Sequence, residues 1–256
     1  MSNDIDFTQI RPPESRWKTL AKAYTHKPKN KFGDPRYVFM HVGKTGGTSV
    51  NTFFQNCHKA GLRVPIVLNH NWSFQMARLR YPQAKIIVVL RDPLERIISG
   101  FNFRLREGRP AGHPWTANEA IVYSHFGNVG CFMDALCSDE TQHISALGFC
   151  FRNINHLRRG YKFHFGDLDK EPLSTTKILR PIRIENIEGS LRNIIAELNS
   201  IQSENFPKIR KMYESSVPSE TFVQNKKYIN SLPIIKSRIF MEYQIYKTLE
   251  KYVSES

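Results

Sequence analysis

The sequence predicts an α/β fold, P-loop-like and three-layered, with a central parallel β-sheet flanked by helices. Three observations predict it. In the first half of the chain, apolar runs of strand length alternate with segments of helical period, the pattern that builds parallel sheets through right-handed crossovers. One run, AKIIVVL at residues 84–90, is apolar without interruption, as expected of a strand covered on both faces. The first strand also passes into its helix through a glycine turn, HVGKTGGTSV at 41–50, rather than through an ordinary polar loop.

Residues 1–36 read as a basic, mobile N-terminal arm with one short helix around Trp17–Tyr24, and residues 37–256 as a single domain. The first strand is YVFMHV. In the helix that follows the glycine turn, Val50, Phe53, Phe54 and Cys57 share one face, and Gly61 closes it. VPIVLN is a second strand, SFQMARLRYP a short helix and AKIIVVL the third strand. Asp92 then caps a helix whose first position is Pro93, where proline is welcome, and Ile97, Ile98 and Phe101 form its apolar face. EGRPAGHPWTAN reads as a surface loop, and residues 115–165 as helical with breaks. KILRPIRIENI is a late strand, EGSLRNIIAELNSI an amphipathic helix and SRIFMEYQIYKTLEKYV a C-terminal helix.

Composition narrows the function classes. A net charge of +14 concentrates polyanions around the chain, which points to nucleic acid, anionic membrane, acidic glycan or a phosphate-rich ligand. No run approaches the ~18 consecutive apolar residues of a membrane span, and the N-terminus lacks the apolar core of a secretory signal. Cys57, Cys131, Cys137 and Cys150 show neither paired CxxC spacing nor histidines at zinc-ligand distance, so free thiols are expected, with a cytoplasmic location if the chain is complete.

The glycine turn carries the chemistry. A strand entering a helix through a tight turn gathers backbone N–H groups and the positive helix end around one point. Gly46 and Gly47 allow close backbone approach, Lys44 adds a full charge, and Thr45, Thr48 and Ser49 add hydroxyl donors. A nucleoside-triphosphatase loop would need a glycine at Val38, inside the strand, and its glycines precede the lysine rather than follow it. A second anion-binding element ends the third strand: Arg91, followed in the next helix by Ser99. Ligands of open α/β sheets bind at such strand ends, so Lys44 and Arg91 suggest a ligand with phosphates at two places.

The pair HVGKTGGTSV and VVLRDPLERIISGF resembles the two nucleotide-binding signatures of sulfotransferases that use 3′-phosphoadenosine 5′-phosphosulfate (PAPS). It is most similar to the carbohydrate O-sulfotransferases of the heparan sulfate 2-O type and their bacterial relatives. The resemblance implies that Lys44, Thr45, Gly46, Gly47, Thr48 and Ser49 bind the 5′-phosphosulfate, and that Arg91 and Ser99 bind the 3′-phosphate. Gly43 stands where the family commonly has proline. A fainter likeness in IRIENIEGSLRNI and EYQIYKTLEKYV extends it over Tyr37–Val253. The implied activity is O-sulfation of an acceptor hydroxyl, with PAPS as donor, no metal, and an acceptor that is a glycan or another hydroxyl-bearing small molecule. Two alternatives share parts of this pattern: an ATP-dependent kinase, and a basic nucleic-acid-binding protein, although no recognisable nucleic-acid motif is present.

Transfer to a hydroxyl calls for a general base. Residues 45–90 contain no Asp or Glu, which leaves His58, late in the first helix, and His70, at the end of the second strand. In the family a histidine in this region is the base, and His70 fits that role with Lys44 as the second catalytic residue. His41, beside the loop, is expected to support it. Arg104, Arg106 and Arg109, with Arg152, Arg158, Arg159 and Lys162, are either contacts for an acidic acceptor or a solvated face. Trp72 and Trp115 are expected to pack in the core rather than stack on a sugar.

Overall fold

The structure, a computed structural model, describes residues 6–8, 16–30, 32–107, 112–166, 168, 178–202, 206–207 and 225–253. Four strands, β1 (Asp34–Met40), β2 (Pro65–Leu68), β3 (Lys85–Leu90) and β4 (Leu179–Arg183), form one sheet in the order β2-β1-β3-β4. Every pairing is parallel: Met40 lies opposite Leu68 on one side and Val88 on the other, and Leu90 lies opposite Arg183. The expected central parallel sheet is therefore present. β3 is interior, and both its alternating sets, Ile86/Val88/Leu90 and Ile87/Val89, are buried, which explains its unbroken apolar run. β4 is an edge strand, where the missing N–H of Pro181 leaves little of the ladder unmade.

By internal contacts the chain divides into two compact units. One comprises Pro13–Arg91, His164–Tyr213 and Tyr246–Ser256, and holds the sheet. On one face of that sheet, helices α2 (Gly47–Lys59) and α10 (Ile187–Asn199) bury Val50, Phe53, Phe54 and Cys57 with Leu191, Ile194, Ile195 and Leu198 against Phe39, Val67, Ile87, Val89 and Ile182. The stripe predicted for the first helix is the stripe that packs. Helices α1 (Arg16–Thr25) and α3 (Phe74–Arg80) lie against each other in the same unit.

Lys29 and Asn30, within the arm expected to be mobile, are bonded to β2 in this unit. Lys29 donates its backbone N–H to the Val67 carbonyl at 2.7 Å. Buried Asn30 donates its amide to the Pro65 carbonyl at 3.0 Å and accepts from the Val67 N–H at 2.7 Å. An edge strand exposes an unpaired row of backbone groups, and these two residues satisfy part of that row on β2. An isolated asparagine in a basic run carries no sequence signal for this, because its partner lies 37 positions away.

The other unit comprises Met1–Pro12, Asp92–Phe163 and Glu214–Ile245. Its helices are α4 (Pro93–Leu105), α5 (Ala117–Phe126), α6 (Val129–Leu136), α7 (Thr141–Asn153), α8 (Asn155–Arg158), α11 (Lys226–Asn230) and α12 (Leu232–Arg238). The short α9 (Tyr161–Phe165) and the C-terminal α13 (Phe240–Glu250) run on from it. Its core includes Leu94, Ile97, Ile98, Phe101, Phe132, Met133, Leu147 and Phe151, with Phe101 and Phe132 stacked at 4.3 Å. Asp92 caps α4 as expected, accepting from Leu94 and Glu95, with Pro93 opening the helix. The C-terminal helix predicted as one piece is broken at Ile239 into α12 and α13.

All four cysteines are free thiols. Burial pushes the Cys57 thiol up to about 11 and that of Cys150 well above its ordinary range, which makes both poor nucleophiles. Among the described residues, no helix is long and apolar enough to cross a membrane.

Candidate functional site

Because β2, β1 and β3 are adjacent and parallel, their carboxyl ends lie side by side. From these ends emerge His70, the loop 41–46 and Arg91 respectively. Residues separated by up to 50 positions are thus gathered at one edge of the sheet by topology alone.

The loop is wound tightly. Its backbone takes left-handed conformations at Lys44 (φ 68°) and Gly46 (φ 81°). For glycine this is free of steric cost; for lysine it is strained, and such strain concentrates at functional positions. Thr45 is fully buried, and its hydroxyl donates to the Val42 carbonyl at 3.0 Å. A hydroxyl has one proton to give, so the Thr45 side chain closes the loop, and its contribution to an anion would come through the main chain. Gly46 is the N-cap of α2, and its carbonyl accepts the Val50 N–H at 3.1 Å. A glycine cap brings no side chain to the first-turn N–H groups, which is the arrangement that suits an anion. Lys44 and Ser49 are half-buried, and Thr48 is exposed.

Gly47 is needed for a different reason. A Cβ at this position would fall on the imidazole ring of His41. That ring is buried, with Phe39 stacked beside it at 6.0 Å and His70 4.0 Å away between ring centroids. His41 also offers its main-chain carbonyl to Nδ1 of His70 at 2.9 Å. A carbonyl can only accept, so Nδ1 of His70 carries the proton, and in the neutral ring the basic lone pair belongs to Nε2.

Arg91 reaches the same loop. Its Nη1 donates to the Lys44 carbonyl at 3.4 Å, a long bond that engages one of five guanidinium N–H donors. Lys44, Arg91, His41 and His70 therefore belong to one cluster. Ser99 is half-buried in the middle of α4, seven residues after Asp92, in the other unit. His58 is exposed near the end of α2 and stacks on Phe32 at 3.9 Å, away from the strand ends.

The remaining arginines divide by burial. Arg104 is not on a solvated face: it is buried, donates through Nε and Nη2 to the two carboxylate oxygens of Glu119 at 2.7 Å, and donates through Nη1 to the His113 carbonyl and through Nη2 to the Pro114 carbonyl. It thereby fixes the segment 112–116. The clue in the sequence is spacing, since Arg96, Gly100 and Arg104 recur every four residues along α4 and all are buried. Arg106 is half-buried, Arg109 lies outside the described residues, and Arg152 is exposed. Arg158 bonds Asn155, Arg159 lies over the Phe163 ring, and the backbone N–H of Lys162 donates to Glu242. Trp72 is fully buried in the core, and Trp115, half-buried, packs against the core by stacking on Tyr123 while its Nε1 donates to the Arg104 carbonyl.

Among the described residues, no group of three or more His, Cys, Asp or Glu side chains is placed to hold a metal ion. No known protein family, characterised protein or solved structure matches this chain.

Proposed function

We propose that the protein is a sulfotransferase, passing the sulfuryl group of 3′-phosphoadenosine 5′-phosphosulfate to a hydroxyl of an acceptor, a glycan or another hydroxyl-bearing small molecule. The observation that carries the reading is the cluster at one sheet edge: a strained lysine loop at a helix N-terminus, an arginine bonded to that loop, and a histidine held with Nε2 as its basic atom. An oxyanion-rich donor matches the first two, and a hydroxyl acceptor matches the third. The resemblance of the two signatures to PAPS-binding segments selects phosphosulfate among the donors.

In this reading Nε2 of His70 takes the acceptor proton as the acceptor oxygen bonds to sulfur. The bond from sulfur to the phosphate oxygen breaks, and the released phosphate gains negative charge. Lys44 and the first N–H groups of α2 stabilise that charge without reorganising. Arg91 holds the second phosphate. The chain's positive charge favours approach of the anionic donor.

Ligand-dependent melting is the test. 3′-Phosphoadenosine 5′-phosphate should raise the melting temperature more than ATP or AMP, corresponding to about 3 kcal/mol at a hundredfold excess over its dissociation constant. Equal effects from all three nucleotides would refute the donor assignment, and a magnesium-dependent preference for ATP would favour a kinase. His70→Ala should keep the bisphosphate response and lose sulfation by about a hundredfold or more. Unchanged turnover would remove His70 from the mechanism.

A further inference from the structure

We propose that His41 is a positioning residue that couples the anion loop to the base. The inference rests on the sulfuryl-transfer reading for its kinetic consequences but not for its structural ones. The ring of His41 fills the space against Gly47, the first residue of α2, and packs at 4.0 Å on the ring of His70. Its carbonyl takes the Nδ1 proton of His70. One buried residue thus touches both halves of the site: the helix end that would meet the donor, and the imidazole that would meet the acceptor.

The contacts differ in kind. The carbonyl sets which nitrogen of His70 is protonated, as any residue at position 41 could. The ring is specific: between Phe39, Gly47 and His70 it holds the plane of His70 fixed relative to the start of α2. A displacement of about 1 Å in a reacting group costs up to a hundredfold in rate, so a spacer of fixed thickness between base and donor loop has a catalytic consequence without touching substrate. Gly47 and His41 are then a matched pair, since any side chain at 47 requires the ring at 41 to move.

The test uses the full chain with His41→Ala, His41→Phe, Gly47→Ala and the double variant Gly47→Ala/His41→Ala. Side-chain nitrogen NMR of the wild type should show His70 protonated at Nδ1. In His41→Ala the Nδ1 proton should stay, because the main-chain carbonyl remains, but the His70 ring should lose its fixed orientation and give broadened, averaged signals, and His41→Phe, which restores a flat ring, should sharpen them again. In denaturant unfolding, Gly47→Ala should destabilise the protein, and most of that loss should vanish in the His41→Ala background, a non-additivity expected of contacting residues. Equally sharp His70 ring signals in His41→Ala, or additive effects in the double variant, would overturn the proposal.

For turnover, His41→Ala should lower kcat about tenfold or more while bisphosphate affinity stays within about threefold. His41→Phe should recover most of the rate. A His41→Phe protein as slow as His41→Ala would assign the role to the ring nitrogens and overturn positioning. Failure of the wild type to bind the bisphosphate, with the tautomer and stability results as expected, would refute the sulfotransferase reading alone.

Discussion

Arg96 and Glu242, 146 residues apart, meet in a fully buried ion pair with Nη2 to Oε2 at 2.8 Å. Neither charge is left with one partner. Arg96 Nη1 also donates to the His156 carbonyl, and the Glu242 carboxylate accepts the N–H groups of Tyr161 and Lys162, the first two residues of α9. The pair therefore ties α4, α13, the end of α8 and the start of α9 together. Gly160 leaves the space it needs, because a Cβ there would run into both side chains.

Breaking such a pair from one side strands a buried charge. Glu242→Ala is expected to cost about 3–5 kcal/mol in unfolding free energy, whereas replacing both partners, Arg96→Met with Glu242→Leu, should cost much less. Urea unfolding of the three proteins checks this. A double variant as unstable as the single one would show that the carboxylate matters mainly as a cap for α9.

Glu119 supplies a pH dependence. Burial pushes its carboxyl up, but the hydrogen bonds from Arg104, with those from Thr116, outweigh burial and hold it below the usual value of 4.5. A group depressed in the folded state stabilises the fold above its unfolded pKa, and this contribution is lost as pH falls through the folded value. The stability difference between wild type and Glu119→Gln should therefore be full at neutral pH and shrink below about pH 4.5. Unfolding measured from pH 3 to 7 reads it; a difference that grows on acidification would reverse the assignment.

Lys44 sits in a left-handed conformation that costs a non-glycine residue about 1–2 kcal/mol. Lys44→Gly relieves this and adds chain entropy to the unfolded state, so its melting temperature should equal or slightly exceed that of the wild type. Its response to 3′-phosphoadenosine 5′-phosphate should fall about tenfold or more with the lost charge. A clear loss of stability in this variant would mean that the Lys44 side chain holds the loop together rather than serving the ligand.

Much of the architecture was legible because its causes are local. The uninterrupted apolar run of β3, the stripe Val50/Phe53/Phe54/Cys57 on α2, and the Asp92–Pro93 opening of α4 follow from period and cap chemistry within a few residues. The site was partly legible for the same reason, since Lys44, His70 and Arg91 could each be placed at a strand end. The burial of Arg104 was hinted at only by its four-residue spacing from Arg96 and Gly100; its partner Glu119 was not legible, because a guanidinium looks alike in sequence whether it meets solvent or a carboxylate. The arm at Asn30 was opaque too, because its partners belong to β2.

By itself, then, the sequence determined the alternation of strands and helices, the parallel sheet and the residue types at its carboxyl edge. Only the tertiary structure decided that His41 lies between Gly47 and His70, that Arg91 bonds the Lys44 loop, and that Arg96 pairs with Glu242. The physical reason is range. Periodicity and turn chemistry act over a few residues, whereas a buried polar group takes whichever partner the packing of distant elements brings within hydrogen-bond distance.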